Sequence, residues 1–147
     1  MSGAEAQLRG FLARFSPPIA KRARAILAKM RKRLPGATEL VYDNYNGLVI
    51  GFGPSERASK APFSIVVYPK YVRLFFLDGA DLPDPERLLR GSGKIVRSIV
   101  VDETALDRPA VRALMTVAID RGGVPFTTGA RRRVVIRSVV KKRRPRR

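Results

Sequence analysis

An α+β domain, with helices packed on a largely antiparallel sheet, is the fold class this chain predicts. Three observations predict it. Apolar residues recur at three- and four-residue spacing before residue 35 and again after residue 107, the mark of helices with one buried face. From Thr38 to Phe76 the pattern turns strand-like and is broken by turn residues. A Val- and Ile-rich run, Arg133–Val140, follows the last helical segment. At 147 residues the chain has the size of one domain. A chain of that length buries roughly two-thirds of its unfolded surface, so it needs no disulfide or metal to hold its core.

The elements follow in order. Residues 5–15 place Leu8, Phe11, Leu12 and Phe15 on one side of a short helix. Pro17-Pro18 breaks it and seats a second helix at its first turn. That helix carries Ile19, Ala23, Ile26, Leu27, Met30 and Leu34 inward, and Pro35-Gly36 ends it. Its other face holds Lys21, Arg22, Arg24, Lys29, Arg31, Lys32 and Arg33 with no acid among them. Strands at 38–43 and 48–52 flank Asn44-Tyr45-Asn46-Gly47, and Asn-Gly there predicts a type I′ hairpin turn, which needs positive φ. Residues 53–61 read as an exposed loop. Phe63–Tyr68 and Tyr71–Leu77 form a second hairpin around Pro69-Lys70, with Arg73 on the wetter face. Asp84 is expected to cap a short helix with Pro85 first and Leu88-Leu89 inward. Gly91-Ser92-Gly93 leads to a strand near 96–101, and Asp107 is expected to cap a helix through Val111, Leu114, Met115, Ala118 and Ile119 that stops at Gly122-Gly123. The reading is one domain over 1–140, with 141–147 as a basic C-terminal tail.

Composition narrows the function. There is no His and no Cys, which removes imidazole and thiol chemistry, Ser–His triads and the usual zinc ligands. No metal site and no cofactor is expected. Absence of cysteine fits the cytoplasm, the first fifteen residues do not read as a signal peptide, and no run is apolar enough to span a membrane. Thirty Lys and Arg against twelve acids give a net charge of +18. Ten of the thirty lie in residues 131–147, where there is no acid. Such asymmetry favours polyanionic partners, nucleic acid among them, although a charge run is often only a solvated face.

Two blocks then look familiar. RKRLPGATELVYDNYNGLVIGF (31–52) and FFLDGADLPDPERLLRGSGKIVRSIVV (75–101) resemble the YdhG-like family, a group of bacterial domains of unknown function. The match falls on Leu34, Pro35, Ala37, Glu39, Gly79, Leu82, Asp84, Pro85, Leu88, Leu89, Gly91, Gly93, Lys94 and Arg97, within a resemblance that runs over about 19–120. It implies a compact α+β domain and no particular reaction. The family pattern often has His after the Arg; this chain has Ser98. An iron-handling role regarded for some relatives needs a carboxylate-rich surface, and so basic a chain does not offer one.

Three sets of residues carry the candidate chemistry. Tyr42, Tyr45, Tyr68 and Tyr71, all the tyrosines of the chain, fall in the two hairpins and, with Asp43 as the one acid beside them, could line a pocket at one end of the sheet. Gly91, Gly93, Lys94 and Arg97 form a Gly-rich turn beside two cations, a candidate anion site although it fails the P-loop spacing. Lys21, Arg22, Arg24 and Lys29, with Lys141, Lys142, Arg143, Arg144, Arg146 and Arg147, are the candidate nucleic-acid contacts. Asp78, Asp81, Asp84 and Glu86 match no calcium loop. The expected function is a non-enzymatic binding module for a small ligand or a protein partner. The alternative is non-specific polyanion binding through the basic tail and helix face. An enzyme built on Asp43 or a tyrosine, with anion support from Lys94 and Arg97, ranks last.

Overall fold

A computed structural model describes residues 2–126 and 129–147. Helices α1 (Gly3–Ala13) and α2 (Pro17–Arg33) open the chain. Strands β1 (Thr38–Asp43), β2 (Leu48–Gly53), β3 (Phe63–Val67) and β4 (Val72–Phe76) follow as a meander. β5 (Arg97–Val101), α3 (Pro109–Arg121) and β6 (Arg133–Val139) complete it. The sheet order is β5-β4-β3-β2-β1-β6, with β6 parallel to β1 and every other pair antiparallel. The fold is α+β, as the periodicities predict.

Local chemistry accounts for the helix starts. Ser2 accepts a hydrogen bond from the Glu5 N–H at 3.1 Å and caps α1. Pro17 and Pro18 occupy the first turn of α2, where a missing N–H costs nothing. α2 stops because Gly36 turns the chain with φ +82°.

One face of the sheet carries Val41, Ile50, Ile65 and Leu74 in register across β1 to β4, all fully buried. With Phe52, Phe63, Phe76, Leu8, Ile26, Met30, Leu106 and Leu114 they form one hydrophobic cluster that all three helices enter. Each such side chain contributes about 1.5–3 kcal/mol on burial. Phe63 and Phe76 meet edge to face at 6.1 Å. Leu40 and Val66 point the other way and are buried outside that cluster, so the opposite face of the sheet, which carries no α-helix among the described residues, is not wholly wet.

Three local expectations are corrected. The β1–β2 turn is not type I′: Gly47 has no positive φ, and the four residues 44–47 close with Asn44 N–H donating to the Gly47 carbonyl at 3.0 Å. Glycine is required there for another reason, since a Cβ would come within 2.9 Å of the Val67 carbonyl oxygen on β3. Residues after Asp84 form a turn and not a helix. The Asp84 carboxylate still accepts from the Leu88 and Leu89 N–H groups, each at 2.9 Å, so its capping chemistry closes a loop. Asp107 does not cap α3, which begins at Pro109 with no side-chain cap. It turns instead toward α2, accepting from Lys29 and from Arg33 at 3.1 Å.

Candidate ligand-binding cleft

The acids of this chain are few, and the best buried of them are held by arginines. On β1, Glu39 is 0% exposed and faces the helices. Arg31 of α2 reaches it with Nε at 2.9 Å and Nη2 at 2.8 Å, and the same guanidinium forks onto Glu5 of α1 with two bonds of 2.8 Å. One guanidinium therefore ties α1, α2 and the sheet together. The Arg31 hydrogen bond outweighs burial and holds the Glu5 carboxyl below its ordinary value. Burial alone would lower the Arg31 pKa, but its bonds to Glu5 and Glu39 hold it above the usual value.

At the far end of the same strand sits a second knot. Asp43 is 1% exposed. Arg146 Nη2 donates to its Oδ1 at 3.0 Å, Arg143 Nη2 to its Oδ2 at 2.6 Å, and Arg14 Nη1 approaches at 3.5 Å. The Arg146 side chain is itself 3% exposed. It also donates to the carbonyls of Asn44 and Tyr45 and lies 5.5 Å from the Phe15 ring centroid. Arg147 Nε donates to the Arg14 carbonyl at 3.1 Å, near the end of α1. Residues 143–147 are thus folded back onto the domain. The solvated-tail expectation is corrected for this segment: a buried carboxylate with too little solvent demands a cation, and the chain supplies it from its last residues. Asp43 is accordingly an ion-pair partner, ill placed to act as a free base.

Outside this knot the same segment stays in solvent. Arg144 is exposed, its N–H donates to the Tyr45 carbonyl at 2.9 Å, and its guanidinium lies 5.7 Å from the Tyr45 ring centroid. Arg144 and Pro145 form one wall of a cleft of about 580 Å³, and Tyr68, Pro69, Lys70 and Tyr71 of the β3–β4 turn form the other, with Asn46 between. The Tyr68 and Tyr71 rings stand 5.1 Å apart at 41°. Tyr45 and Tyr71 are 46% and 39% exposed. Burial, and then Tyr71, push the Tyr68 hydroxyl above its ordinary value. Tyr68 and Tyr71 therefore line the cleft together, and Tyr45 joins it through Arg144 of the basic C-terminal segment. Tyr42 does not: it lies half-buried on the helix-free face, paired with Val49.

The remaining candidates are placed elsewhere. Arg97 Nη1 donates to the carbonyls of Gly93 at 2.6 Å and Val96 at 2.8 Å, so the guanidinium closes its own loop. Gly91 turns that loop with φ +139°, Gly79 lacks the Cβ that would strike Arg97, and Lys94 is exposed. On α2, Lys21 and Arg24 are exposed and Arg22 is half-buried, none with an ion-pair partner among the described residues, whereas Lys29 is bound to Asp107. Arg24 belongs to the groove between α1 and α2 with Glu5, Arg9 and Arg31, which shares no lining residue with the tyrosine cleft. Lys141 and Lys142 are exposed next to the cleft's Arg144 in sequence.

Sequence reasoning passed over Lys70 and Arg73. Lys70 sits at the tip of a hairpin whose flanking tyrosines were noticed, and Arg73 breaks the apolar alternation of β4. Arg73 Nε donates to Ser98 Oγ at 3.0 Å. Several residues on which the resemblance rested have architectural jobs here: Glu39 holds Arg31, Asp84 closes its turn and Gly79 admits Arg97, while Ser98, where the chain departs from that pattern, bonds Arg73. Among the described residues no helix is long and apolar enough to cross a membrane, and no three of His, Cys, Asp and Glu sit together as metal ligands would. Compared with known proteins, the chain matches no family model, no curated protein and no solved structure.

Proposed function

We propose that this protein is a YdhG-like binding module that takes single-stranded nucleic acid, with little sequence preference, at the tyrosine end of its sheet. The observation that carries the reading is the cleft itself: Arg144, its guanidinium over the exposed Tyr45 ring, forms one wall, and Lys70 with Tyr68 and Tyr71 forms the other. Unpaired bases stack on aromatic rings whatever their identity, at about 1–3 kcal/mol per base, while cations track the phosphates. A duplex hides its base faces, and the cleft is built from turns and the C-terminal segment, with no helix residue in its lining to enter a major groove. Both earlier expectations, the tyrosine-lined pocket and the basic terminal segment, become parts of one surface under this reading.

A labelled oligothymidylate titrated at several salt concentrations tests it. Affinity should fall as salt rises, with a slope of about 0.7 per phosphate contacted, and the single strand should outcompete a random duplex. Equal binding of the duplex would count against the stacking half of the proposal. A second reading, a small aromatic anion such as a mononucleotide, is favoured by the volume of the cleft, about 580 Å³, which lies within the ~300–1,000 Å³ usual for small-molecule sites. The two separate by length: under the first reading affinity climbs with oligonucleotide length, and under the second a monomer suffices.

A further inference from the structure

The helix-free face of the sheet holds a second concavity, separate from the tyrosine cleft. Leu40, Gly51, Val66 and Phe75 form its floor, and Ala58 and Ala61 of the β2–β3 loop form its side, around about 270 Å³. It is hollow because its residues are small where the neighbouring ones are large. Gly51 contributes no side chain, and a Cβ there would meet its nearest neighbours only at 3.8–3.9 Å, an ordinary contact. No charged side chain lines it. Water in such a groove finds few hydrogen-bond partners, so an apolar group displaces it favourably.

Directly across the pairing from Val66 lies Arg73, on the same face. Its Nε donates to Ser98, while its two Nη groups have no hydrogen-bond partner and no carboxylate beside them among the described residues. Arg forks bind carboxylate and phosphate, and these Nη groups, which hold neither, are open to an anion at the margin of the groove. An apolar groove with an unneutralised cation at its margin matches one class of occupant by charge. A second copy of this chain does not match, since each copy carries +18.

We propose that this groove binds a single-chain anionic amphiphile, a fatty carboxylate taken up as a monomer, with the hydrocarbon chain over Gly51 and the carboxylate on the Arg73 Nη groups. The volume, below the ~300 Å³ at which most small-molecule sites begin, admits one chain and not a diacyl lipid. The groove shares no lining residue with the tyrosine cleft, and the one link between them is the Arg73 guanidinium, 5.9 Å from the Tyr71 ring centroid.

Monomeric dodecanoate, below its micellar concentration, is the probe, followed by calorimetric titration and by the shift in melting temperature. One site per chain is expected. Gly51→Leu, which fills the hollow, should weaken binding at least tenfold while oligonucleotide binding persists. Arg73→Gln should weaken dodecanoate several-fold and leave the uncharged dodecanol unchanged. If Gly51→Leu does not fold, Ala58→Phe on the exposed turn obstructs the same groove and carries the same expectation. Unaltered binding in the groove-filling variant, dodecyltrimethylammonium binding as tightly as dodecanoate, or association only with anionic vesicles and not with the monomer would each overturn the proposal.

Discussion

Arg144 and Arg146 stand two residues apart in one basic run, and the fold uses them in opposite ways. Arg146 is buried on Asp43 and bonded to two backbone carbonyls. Arg144 lies in solvent over Tyr45. The intervening Pro145 belongs to the wall of the cleft. What separates the two arginines is the counter-charge each meets: one faces a carboxylate that burial has stripped of water, the other faces an aromatic ring and no acid. Net charge therefore overstates what a partner encounters. Arg143 and Arg146 answer a demand inside the molecule, while Lys70, Lys141, Lys142 and Arg144 remain to act outward.

The comparison breaks most visibly at the buried end. Arg146→Ala leaves Asp43 with Arg143 and Arg14 and opens a gap beside Phe15; loss of one partner from a buried pair costs about 3–5 kcal/mol. Urea unfolding should show the midpoint falling at unchanged slope. Asp43→Asn should cost a similar amount, because three guanidinium groups then crowd a neutral amide. A midpoint equal to that of the wild type would mean that the terminal segment is not docked.

The helix-side knot sharpens the same contrast. Arg31→Met removes the one guanidinium shared by Glu5 and by the fully buried Glu39, with an expected loss of about 3 kcal/mol or more. It also changes the acid limb of the stability curve. Glu5 is held below its ordinary 4.5 in the folded state, so its contribution is present above that value and is lost as pH falls through the lower, folded one. Wild-type stability should decline on that acid side, and the Glu5 share of the decline should vanish in Arg31→Met. An unchanged acid limb would remove Glu5 from the account.

Smaller effects belong to the solvent side. Arg144→Ala should leave stability within about 0.5 kcal/mol and lower the salt slope of oligonucleotide binding by roughly 0.7, one phosphate contact. Tyr71→Ala, stripping one exposed ring, should weaken single-strand binding by about 1–3 kcal/mol if a base stacks there. Asp107→Asn is expected to do least. The hydrogen bond from Lys29 holds its carboxyl below the ordinary value, yet the side chain is about half exposed, at 47%, and water screens its pairs with Lys29, Arg33 and Arg112. Thermal unfolding should register little change.

Much of this fold was legible in the residues, and its limits have physical causes. The spacing of Ile19, Ala23, Ile26, Leu27 and Met30 marks α2 because helix burial is a local, periodic requirement. The two hairpins were legible for the same reason. Asp84 was recognisable as a capping residue, but nothing local says whether the capped N–H groups open a helix or close a turn. Asn-Gly suggested a type I′ turn, whereas Gly47 answers to a carbonyl on β3, a contact twenty residues away in sequence. The tyrosine cleft was half legible: Tyr68 and Tyr71 line it and Tyr45 joins it through Arg144, but Tyr42 lies within β1, paired with Val49 and lining the other groove. Least legible was Arg146. Its partner is 103 positions away, and a run of like charges looks solvated until the register of β1 puts a carboxylate beneath it.

The division within the C-terminal segment is tested most directly by two variants carried through two assays. Arg144→Ala and Arg146→Ala are each measured by urea unfolding and by oligothymidylate titration over a salt series. Point variants serve better than truncation after Val140, which removes Arg143, Arg144 and Arg146 together and leaves Asp43 with Arg14 alone. The expected result is a crossed pattern: Arg144→Ala keeps its stability and loses affinity, and Arg146→Ala loses stability by several kcal/mol. Two variants alike in both assays, or a stable Arg146→Ala, would contradict it.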